Sequence, residues 1–256
     1  MMTEHAAEGG APASEASQPQ MAQMSQALSA ISHEIKNPLA SLKLNAQMIA
    51  RAIERGRAPR AESAALLTLA VDQIDQIASA LSDMARAESG RMTLTMRCVD
   101  VGALLQRVAA EAADEAHDQR VSVELPPQRS APLLAQADPA RLQQVITALL
   151  SNALKYSPAQ AAVTLAARRM GHRLRVEARD RGPGIEPQDR AHIFEPFYRG
   201  ATLPQRPGGS ELGLGLAIAR HIVELHGGQM GVDAPTSQAE GHGAIVWFTL
   251  PATPCS

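Results

Sequence analysis

Two apolar stripes at helical spacing, in the first third of the chain, constrain the fold most. Apolar residues recur every three or four positions from Met21 to Ile53 and again from Leu67 to Met84. This spacing predicts two long amphipathic helices, with residues 56–60 as the turn between them and Gly90 as a helix stop. A lone two-helix hairpin buries its apolar seam poorly, so the sequence predicts a four-helix bundle made by a homodimer.

A purely structural coiled coil accounts for this periodicity equally well. One detail argues against it, because the first stripe takes two successive steps of four at Ile31, Ile35 and Leu39. Two such steps shift the phase of a heptad pattern locally. The shift falls on the segment Ser-His-Glu-Ile-Lys-Asn-Pro-Leu, residues 32–39, which therefore needs an explanation beyond packing.

From Cys98 onward the pattern becomes mixed. It predicts α+β architecture, with helices layered on one sheet. We expect a disordered tail over residues 1–20, a helical hairpin domain over 21–90 and an α+β domain over 98–253. The predicted helices are 99–117, 138–156 and 214–225; the predicted strands are 121–125, 162–167, 174–178 and 245–250. Residues 182–209 are expected to be mostly loop, around a short helical stretch near Asp189.

Composition excludes several classes of protein. The formal net charge of −2 gives no general attraction to nucleic acid or anionic lipid. Cys98 and Cys255 show no disulfide framework and no zinc-type spacing, which indicates a reducing compartment. No run of about 18 apolar residues predicts a membrane span, and no secretory signal is apparent. We therefore expect a cytoplasmic location.

The segment around His33 carries the first chemical signal. His33 lies off the apolar stripe, Glu34 is adjacent, and a helix places Asn37 one turn away. Neutral imidazole has a free ring nitrogen that can accept a phosphoryl group, and a neighbouring carboxylate can hold the other ring proton. Pro38 removes a helical hydrogen bond, so a bend is expected. The ordinary alternative is an exposed histidine on a charged helix face.

Three further segments carry signals for a nucleotide. Asn152 and Lys155 share a helix face, where an amide oxygen can coordinate Mg²⁺ and an ammonium can meet phosphate; an amphipathic helix end is the alternative. Asp180 can accept a hydrogen bond from the adenine amine, which guanine lacks; a surface turn is the alternative. The glycine-rich segment 208–217 opens a helix, whose first N–H groups suit phosphate. Taken alone, each signal is weak.

Together and in this order, the segments closely resemble the sensor histidine kinases of bacterial two-component systems. SHEIKNPL resembles the H box of that family, QVITALLSNALKYS (144–157) the N box, and DRGPGI (180–185) the first glycine box. IFEPFYRG (193–200) resembles the F box and LGLGLAIAR (212–220) the second glycine box. The resemblance covers about Met21 to Pro251.

The resemblance implies a dimerisation and phosphotransfer hairpin followed by an ATP-binding domain of the Bergerat type, shared with gyrase, Hsp90 and MutL proteins. It implies that His33 is autophosphorylated from Mg-ATP and passes the phosphoryl group to an aspartate of a response regulator, with Glu34 as acid/base and Asn37 linked to phosphatase activity. The implied nucleotide-binding residues are Asn152 (also the Mg²⁺ ligand), Lys155, Tyr156, Asp180, Gly182, Gly184, Arg199, Gly213 and Gly215. A mobile lid is implied over about residues 198–212.

The chain departs from the family pattern at two places. Ala148 stands where N boxes usually carry a second Asn, and Ser210, Glu211 and Leu212 intervene before the second glycine box. Both departures predict a weakened Mg-ATP site. A scaffold dimer acting mainly as a phosphatase is therefore the second hypothesis. A Bergerat-type ATPase without histidine chemistry is the third, and the H box argues against it.

Overall fold

The fold was analysed in a computed structural model. It describes residues 17–115, 121–127, 132–198, 212–234 and 243–252. The chain divides into two compact units, Met1–Ile74 and Asp75–Ser256, and the division falls inside a helix. The first unit holds most of the helical hairpin. The second holds the end of that hairpin and an α/β sandwich.

The hairpin consists of α1 (Ser17–Glu54) and α2 (Ala61–Glu88). The first helix starts four residues before Met21 and runs through Pro38 without interruption. Gly56 ends it in the left-handed conformation, with φ of 62°, and the Arg57 N–H donates to the Ala52 carbonyl at 2.8 Å. Such an ending suits glycine, which carries no Cβ. Gly90, with φ of 64°, lies just beyond the end of α2.

Among the described residues that follow α2, seven strands and three helices form the sandwich. The strands are β1 (Arg97–Asp100), β2 (Val121–Glu124), β3 (Leu134–Ala137), β4 (Val163–Met170), β5 (Arg173–Arg179), β6 (Gln229–Asp233) and β7 (Ile245–Pro251). The helices are α3 (Val101–Glu115), α4 (Pro139–Tyr156) and α5 (Gly215–Leu225). A five-stranded sheet has the order β2-β4-β5-β7-β6, and β1 pairs with β3 separately. Only β2 and β4 run parallel among these pairs.

The core lies between the sheet and the three helices, which all contact it. Alternate residues of β5 face this core, so Leu174, Val176 and Ala178 are almost fully buried, as strand geometry requires. The buried face of α4 supplies Val145, Ile146 and Leu149 among others. The predicted helical hairpin and two-layer α+β sandwich are thus confirmed.

Several predicted elements need correction. Val99 belongs to β1 and not to the helix predicted over 99–117, which begins only at Val101. The residues near Asp189 form turns and not a helix. The strands β1, β3 and β6 were missed, because their sequences RCVD, LAQA and QMGVD lack the alternation of apolar and polar residues that VSVE of β2 shows. The expected tail 1–20 falls mostly outside the described residues, which begin at Ser17.

The cysteine prediction is wrong for Cys98, which is disulfide-bonded. The chain has one other cysteine, Cys255, which lies outside the described residues. A bond between cysteines far apart in sequence leaves no spacing signal. The expectation of a reducing compartment, which rested on the cysteines, loses that support.

Asp138 caps α4 and ties it to its surroundings. Its Oδ1 accepts the N–H groups of Ala140 at 3.0 Å and Arg141 at 3.1 Å, as predicted for an N-cap, and its Oδ2 accepts the Thr95 N–H at 2.8 Å. Its own N–H donates to Nε2 of the buried His226 at 2.9 Å. Burial alone would raise the pKa of Asp138, but the three N–H donors lower it below its usual value.

Candidate functional site

The C-terminal end of α4 forms one wall of the nucleotide site predicted from the sequence. Asn152, Lys155 and Tyr156 are all half-buried there. The Lys155 ammonium lies over the Tyr156 ring, 5.2 Å from its centroid, which is a cation–π distance. The helix ends at the buried Ser157, whose N–H donates to the Ala153 carbonyl at 3.0 Å. One helix end therefore presents an amide, a cation and an aromatic ring together.

Asp180 follows directly after β5 and is held from two sides. Its Oδ1 accepts the N–H groups of Gly182 at 2.8 Å and Ala244 at 3.1 Å. Its own N–H donates to the Ala244 carbonyl at 3.0 Å. Among the described residues nothing donates to Oδ2, so this oxygen can receive a ligand's donor. Burial raises the pKa of Asp180 above its usual value, although the two N–H donors partly oppose this.

The first glycine segment has no room for side chains. A Cβ on Gly182 would lie 2.7 Å from the Tyr156 carbonyl oxygen, and Gly184 has φ of 84°. The Arg181 N–H donates to the Ser157 hydroxyl at 3.2 Å, which fixes this turn to the end of α4. Close approach and a left-handed backbone both require glycine. Gly182 and Gly184 therefore keep this turn close to Asp180 and to the end of α4.

The second glycine segment closes the site from the start of α5. Gly213 has φ of 65°, and a Cβ there would lie 2.7 Å from the Tyr198 carbonyl oxygen. The Gly213 carbonyl accepts the Phe197 N–H at 3.2 Å. A Cβ on Gly215 would lie 4.0 Å from the Cβ of Ala148. Ala148 on α4 thus lies beside the second glycine segment.

Two parts of the prediction lie outside the described residues. Arg199 is one, and most of the predicted lid, including Ser210 and Glu211, is the other. The residues that flank this lid are described: the Tyr198 hydroxyl donates to Asp189 at 2.8 Å. The Asp189 carboxylate, as the acceptor of that bond, raises the pKa of Tyr198.

Sequence reasoning missed Gly243 and Ala244. A Cβ on Gly243 would come within 2.2 Å of the Asp180 carbonyl oxygen, and Ala244 supplies one of the N–H groups that hold Asp180. These residues precede the last strand and lie about sixty positions after Asp180 in the sequence. The Gly-His-Gly at 241–243 was the only local signal for a close backbone approach.

His33 lies on α1, in the other compact unit. Its side chain is exposed, and the Asn37 amide nitrogen is 3.4 Å from its Nδ1. Rotation of the Asn37 amide by 180° exchanges its nitrogen and oxygen, so either can face Nδ1. With the oxygen toward the ring, Asn37 would accept a hydrogen bond from Nδ1–H. The lone pair of Nε2 would then be available as a nucleophile.

The arrangement of these residues suits a nucleoside triphosphate and its magnesium ion. Glycines leave space where phosphates or a base could approach the backbone. Asn152 and Lys155 supply an amide oxygen and a cation. The part of the chain that the structure describes holds no cluster of three His, Cys, Asp or Glu residues around a metal. Magnesium needs few protein ligands and keeps waters or phosphate oxygens, so Asn152 fits as its ligand when nucleotide is bound.

Two family models match the chain. Residues 23–90 match the His kinase A (phospho-acceptor) domain. Residues 137–254 match the histidine kinase-, DNA gyrase B- and HSP90-like ATPase family. The chain belongs to the sensor histidine kinases, a family of ATP-using transferases with these two domains.

Individual relatives agree. The histidine-protein kinase/phosphatase MprB of Mycobacterium avium is 30% identical over 229 residues, which are 87% of this chain and 42% of MprB. The chain thus spans less than half of that relative. The structure of full-length ShkA in complex with AMPPNP is 29% identical, with a TM-score of 0.59 over 90% of this chain and 46% of ShkA. The histidine kinase AdeS of Acinetobacter baumannii shares the fold at 21% identity, with a TM-score of 0.63 over 87% of this chain and 98% of AdeS.

One described helix is long and apolar enough to cross a membrane by length and composition, namely α2. Only 11% of its most apolar window is buried in the single chain. The same residues lie within the match to the phospho-acceptor domain. A helix with an apolar seam in a helical bundle meets the same criteria of length and composition as a membrane-spanning helix. These properties of α2 are therefore weak evidence for a membrane span.

Replacing Asp180 with asparagine should separate stability from binding. When folding raises the pKa of an Asp, the protein loses stability as the pH rises from the unfolded pKa through the folded pKa. At neutral pH the ionised Asp180 therefore lowers the free energy of unfolding. We expect Asp180→Asn to stabilise the nucleotide-free protein at pH 7, with the gain shrinking toward the ordinary Asp pKa of 3.8. The same change should weaken ATP binding and relax discrimination against GTP.

Thermal melts across pH and calorimetry with both nucleotides provide the measurement. Glu186→Gln, an exposed carboxylate in the same turn region, is the control and should alter neither property. Unchanged ATP affinity and base preference in Asp180→Asn would contradict the assignment of Asp180 to the adenine amine.

Adding an amide at Ala148 should lower the magnesium requirement. An Asn there would lie beside Gly215, where a Cβ would be 4.0 Å from that of Ala148, and could bind Mg²⁺ or its water. The gain should be at most ~1.5–3 kcal/mol, one hydrogen bond to a charged group. The Mg²⁺ concentration for half-maximal nucleotide binding and autophosphorylation should fall.

Thr147→Asn places the same amide on the exposed side of α4 and should leave the magnesium titration unchanged. If Ala148→Asn lowers the melting temperature and leaves the Mg²⁺ dependence as it was, the added amide is buried without a partner. That result would rule out this face of α4 as a metal site.

Proposed function

We propose that this chain is the catalytic core of an ATP-dependent protein histidine kinase, which phosphorylates its own His33 and passes the phosphoryl group to an aspartate of a response regulator. One observation carries the proposal most strongly. The Asp180 turn is hydrogen-bonded to the end of α4, and Gly215 of the second glycine segment lies beside Ala148 of the same helix, while His33 stands exposed on a separate helix.

The nucleotide would bind with its base toward Asp180 and Tyr156 and its phosphates toward Asn152, Lys155 and the second glycine segment. Oδ2 of Asp180 accepts from the exocyclic amine of adenine. Asn152 would hold a magnesium ion, which would supply positive charge beside the γ-phosphate. AMPPNP bound to the related ShkA supports a nucleotide at this fold.

Transfer begins with the lone pair of His33 Nε2 on the γ-phosphorus. A P–N bond forms as the P–O bond to ADP breaks, and ADP leaves with that electron pair. Glu34, next to His33, takes up or shares the Nδ1 proton, so that the phosphorylated ring need not carry an extra charge. The aspartate of the regulator then attacks the phosphorus, the P–N bond breaks with its electron pair left on Nε2, and Glu34 returns the proton to Nδ1 so that the neutral imidazole is restored.

Dephosphorylation of the regulator is a second activity that one observation favours. Asn37 lies 3.4 Å from the His33 ring, where its amide can orient water beside the same reaction centre. The printed name of the relative MprB, a histidine-protein kinase/phosphatase, supports a pairing of the two activities.

A homodimer completes the proposal. Large apolar side chains on the hairpin remain exposed in the single chain: Leu28 at 59%, Leu44 at 59%, Ile53 at 62% and Leu69 at 53%. Exposed apolar area of this kind marks an interface, and a second hairpin would bury it. We place the assembled core in the cytoplasm, where ATP and response regulators occur, with no membrane span in this chain and no role in nucleic-acid binding.

The direct test is labelling with γ-phosphate-labelled Mg-ATP. Wild type should form an acid-labile, base-stable phosphoprotein. His33→Gln should abolish the label and leave ATP affinity unchanged, because His33 lies in the other compact unit from the nucleotide residues. His192→Gln, an exposed histidine elsewhere, is the control. Label that persists in His33→Gln would refute the acceptor assignment, and ATP binding without any label would favour the scaffold hypothesis.

Asn37→Ala should affect the two activities unequally. Dephosphorylation of a phosphorylated regulator should fall by at least ~10-fold, which corresponds to a lost contact in the transition state of about 1.4 kcal/mol. Autophosphorylation should change much less. Comparing both rates on one preparation provides the measurement. Equal loss of both would indicate helix damage beside Pro38 instead.

A further inference from the structure

The side chain of Ser157 lies between the end of α4 and the turn that follows Asp180. Ser157 is 0% exposed, and its hydroxyl oxygen accepts the Arg181 N–H at 3.2 Å. The helix itself is closed by a different group of the same residue, because the Ser157 N–H donates to the Ala153 carbonyl at 3.0 Å. The hydroxyl therefore serves the turn and not the helix.

A second contact with the end of α4 limits the position of the same turn. A Cβ on Gly182 would lie 2.7 Å from the Tyr156 carbonyl oxygen, so the Gly182 backbone runs directly against the residue before Ser157. Tyr156 thus limits how closely the turn can approach α4, and the hydrogen bond to Ser157 keeps the turn from moving away. Two consecutive residues fix the distance between the turn and the helix end.

The turn in its turn holds the Asp180 carboxylate. Oδ1 of Asp180 accepts the Gly182 N–H at 2.8 Å and the Ala244 N–H at 3.1 Å. The N–H that bonds to Ser157 belongs to the peptide between Asp180 and Arg181, and the Gly182 N–H belongs to the next peptide. A partly buried N–H without an acceptor is unfavourable, so loss of the Ser157 oxygen would let these peptides rotate. The direction of the carboxylate would then no longer be fixed.

We infer that Ser157 is a positioning residue for base selection: its hydroxyl holds the Asp180 turn so that Oδ2 stays aligned with the exocyclic amine of adenine. The inference rests on the proposed binding of ATP with its base at Asp180. It gives Ser157 an effect that is exerted through Asp180 and that requires no contact between Ser157 and the nucleotide.

The groups proposed for phosphate and magnesium do not depend on this hydroxyl. Asn152 and Lys155 stand on α4 itself, whose buried face packs Val145, Ile146 and Leu149 among others into the core. That packing holds the helix whether or not the turn is fixed. Loss of the hydroxyl should therefore weaken the part of binding that depends on the base and leave the part that depends on the phosphates.

Ser157→Ala should lower the affinity for ATP and for ADP by about 3–10-fold, the size expected for one hydrogen bond. The affinities for GTP and for Mg-tripolyphosphate, which has no base, should stay within about twofold of wild type by calorimetry. The KM for ATP in autophosphorylation should rise, while the rate at saturating ATP stays within about twofold. Ser151→Ala, the same change at an exposed serine of the same helix, is the matched control and should alter none of these values.

A double variant tests whether Ser157 acts through Asp180. In the Asp180→Asn background, Ser157→Ala should change the ratio of ATP affinity to GTP affinity by less than about twofold, because the group that it positions is already altered. Effects that multiply in the double variant would overturn the inference. Equal losses of affinity for ATP, GTP and tripolyphosphate would also overturn it, because they would indicate damage to the helix end.

Binding and labelling separate this inference from the proposed function. If the base-dependent loss appears in calorimetry but no phosphoprotein forms, the kinase proposal fails and the role of Ser157 stands. If His33 is labelled and Ser157→Ala keeps the wild-type ratio of ATP affinity to GTP affinity, the kinase proposal stands and the role of Ser157 is refuted. Wild type that binds ATP no better than tripolyphosphate would refute both the base site at Asp180 and the inference.

Discussion

The carboxylate of Asp138 accepts three backbone N–H groups, two from the first turn of α4 and one from Thr95, while its own N–H goes to His226. These bonds fix where α4 begins and in which direction it runs. Since α4 is eighteen residues long and helices rise 1.5 Å per residue, Asn152 and Lys155 are carried far from this anchor by a rigid rod. The positions of Asn152 and Lys155 therefore depend on this one cap.

The two ends of α4 carry polar residues with different contacts. Arg141 and Gln144, near the cap, contact Asp83 of α2, whereas Asn152, Lys155 and Tyr156 sit at the far end beside Asp180. Val145, Ile146 and Leu149 lie between them and pack into the core.

The sequence predicted α4 well because several local signals agreed there: an Asp-Pro start, an apolar face and a polar end. Local signals also agreed for the hairpin, because the apolar residues recur at helical spacing in both helices and turn-forming residues separate them. This agreement failed for β1 and β6, since residues such as Val99 and Met230 become strand only through pairing with distant partners. Of the candidate site, Asp180 and its glycines could be named from their own segment. Ala244, which holds Asp180 from the last strand, could not, because only the folded sheet brings it there.

The glycines at 182, 213 and 243 each lie where a Cβ would strike main-chain atoms. At these three positions the candidate site is bounded by peptide groups, whose shape is the same whatever side chains surround them. Such a pocket tolerates wide sequence drift in everything but a few small residues. Relatives that differ from this chain at about seven positions in ten can then share one pocket geometry, and divergence is left free to act on the surfaces that choose partners.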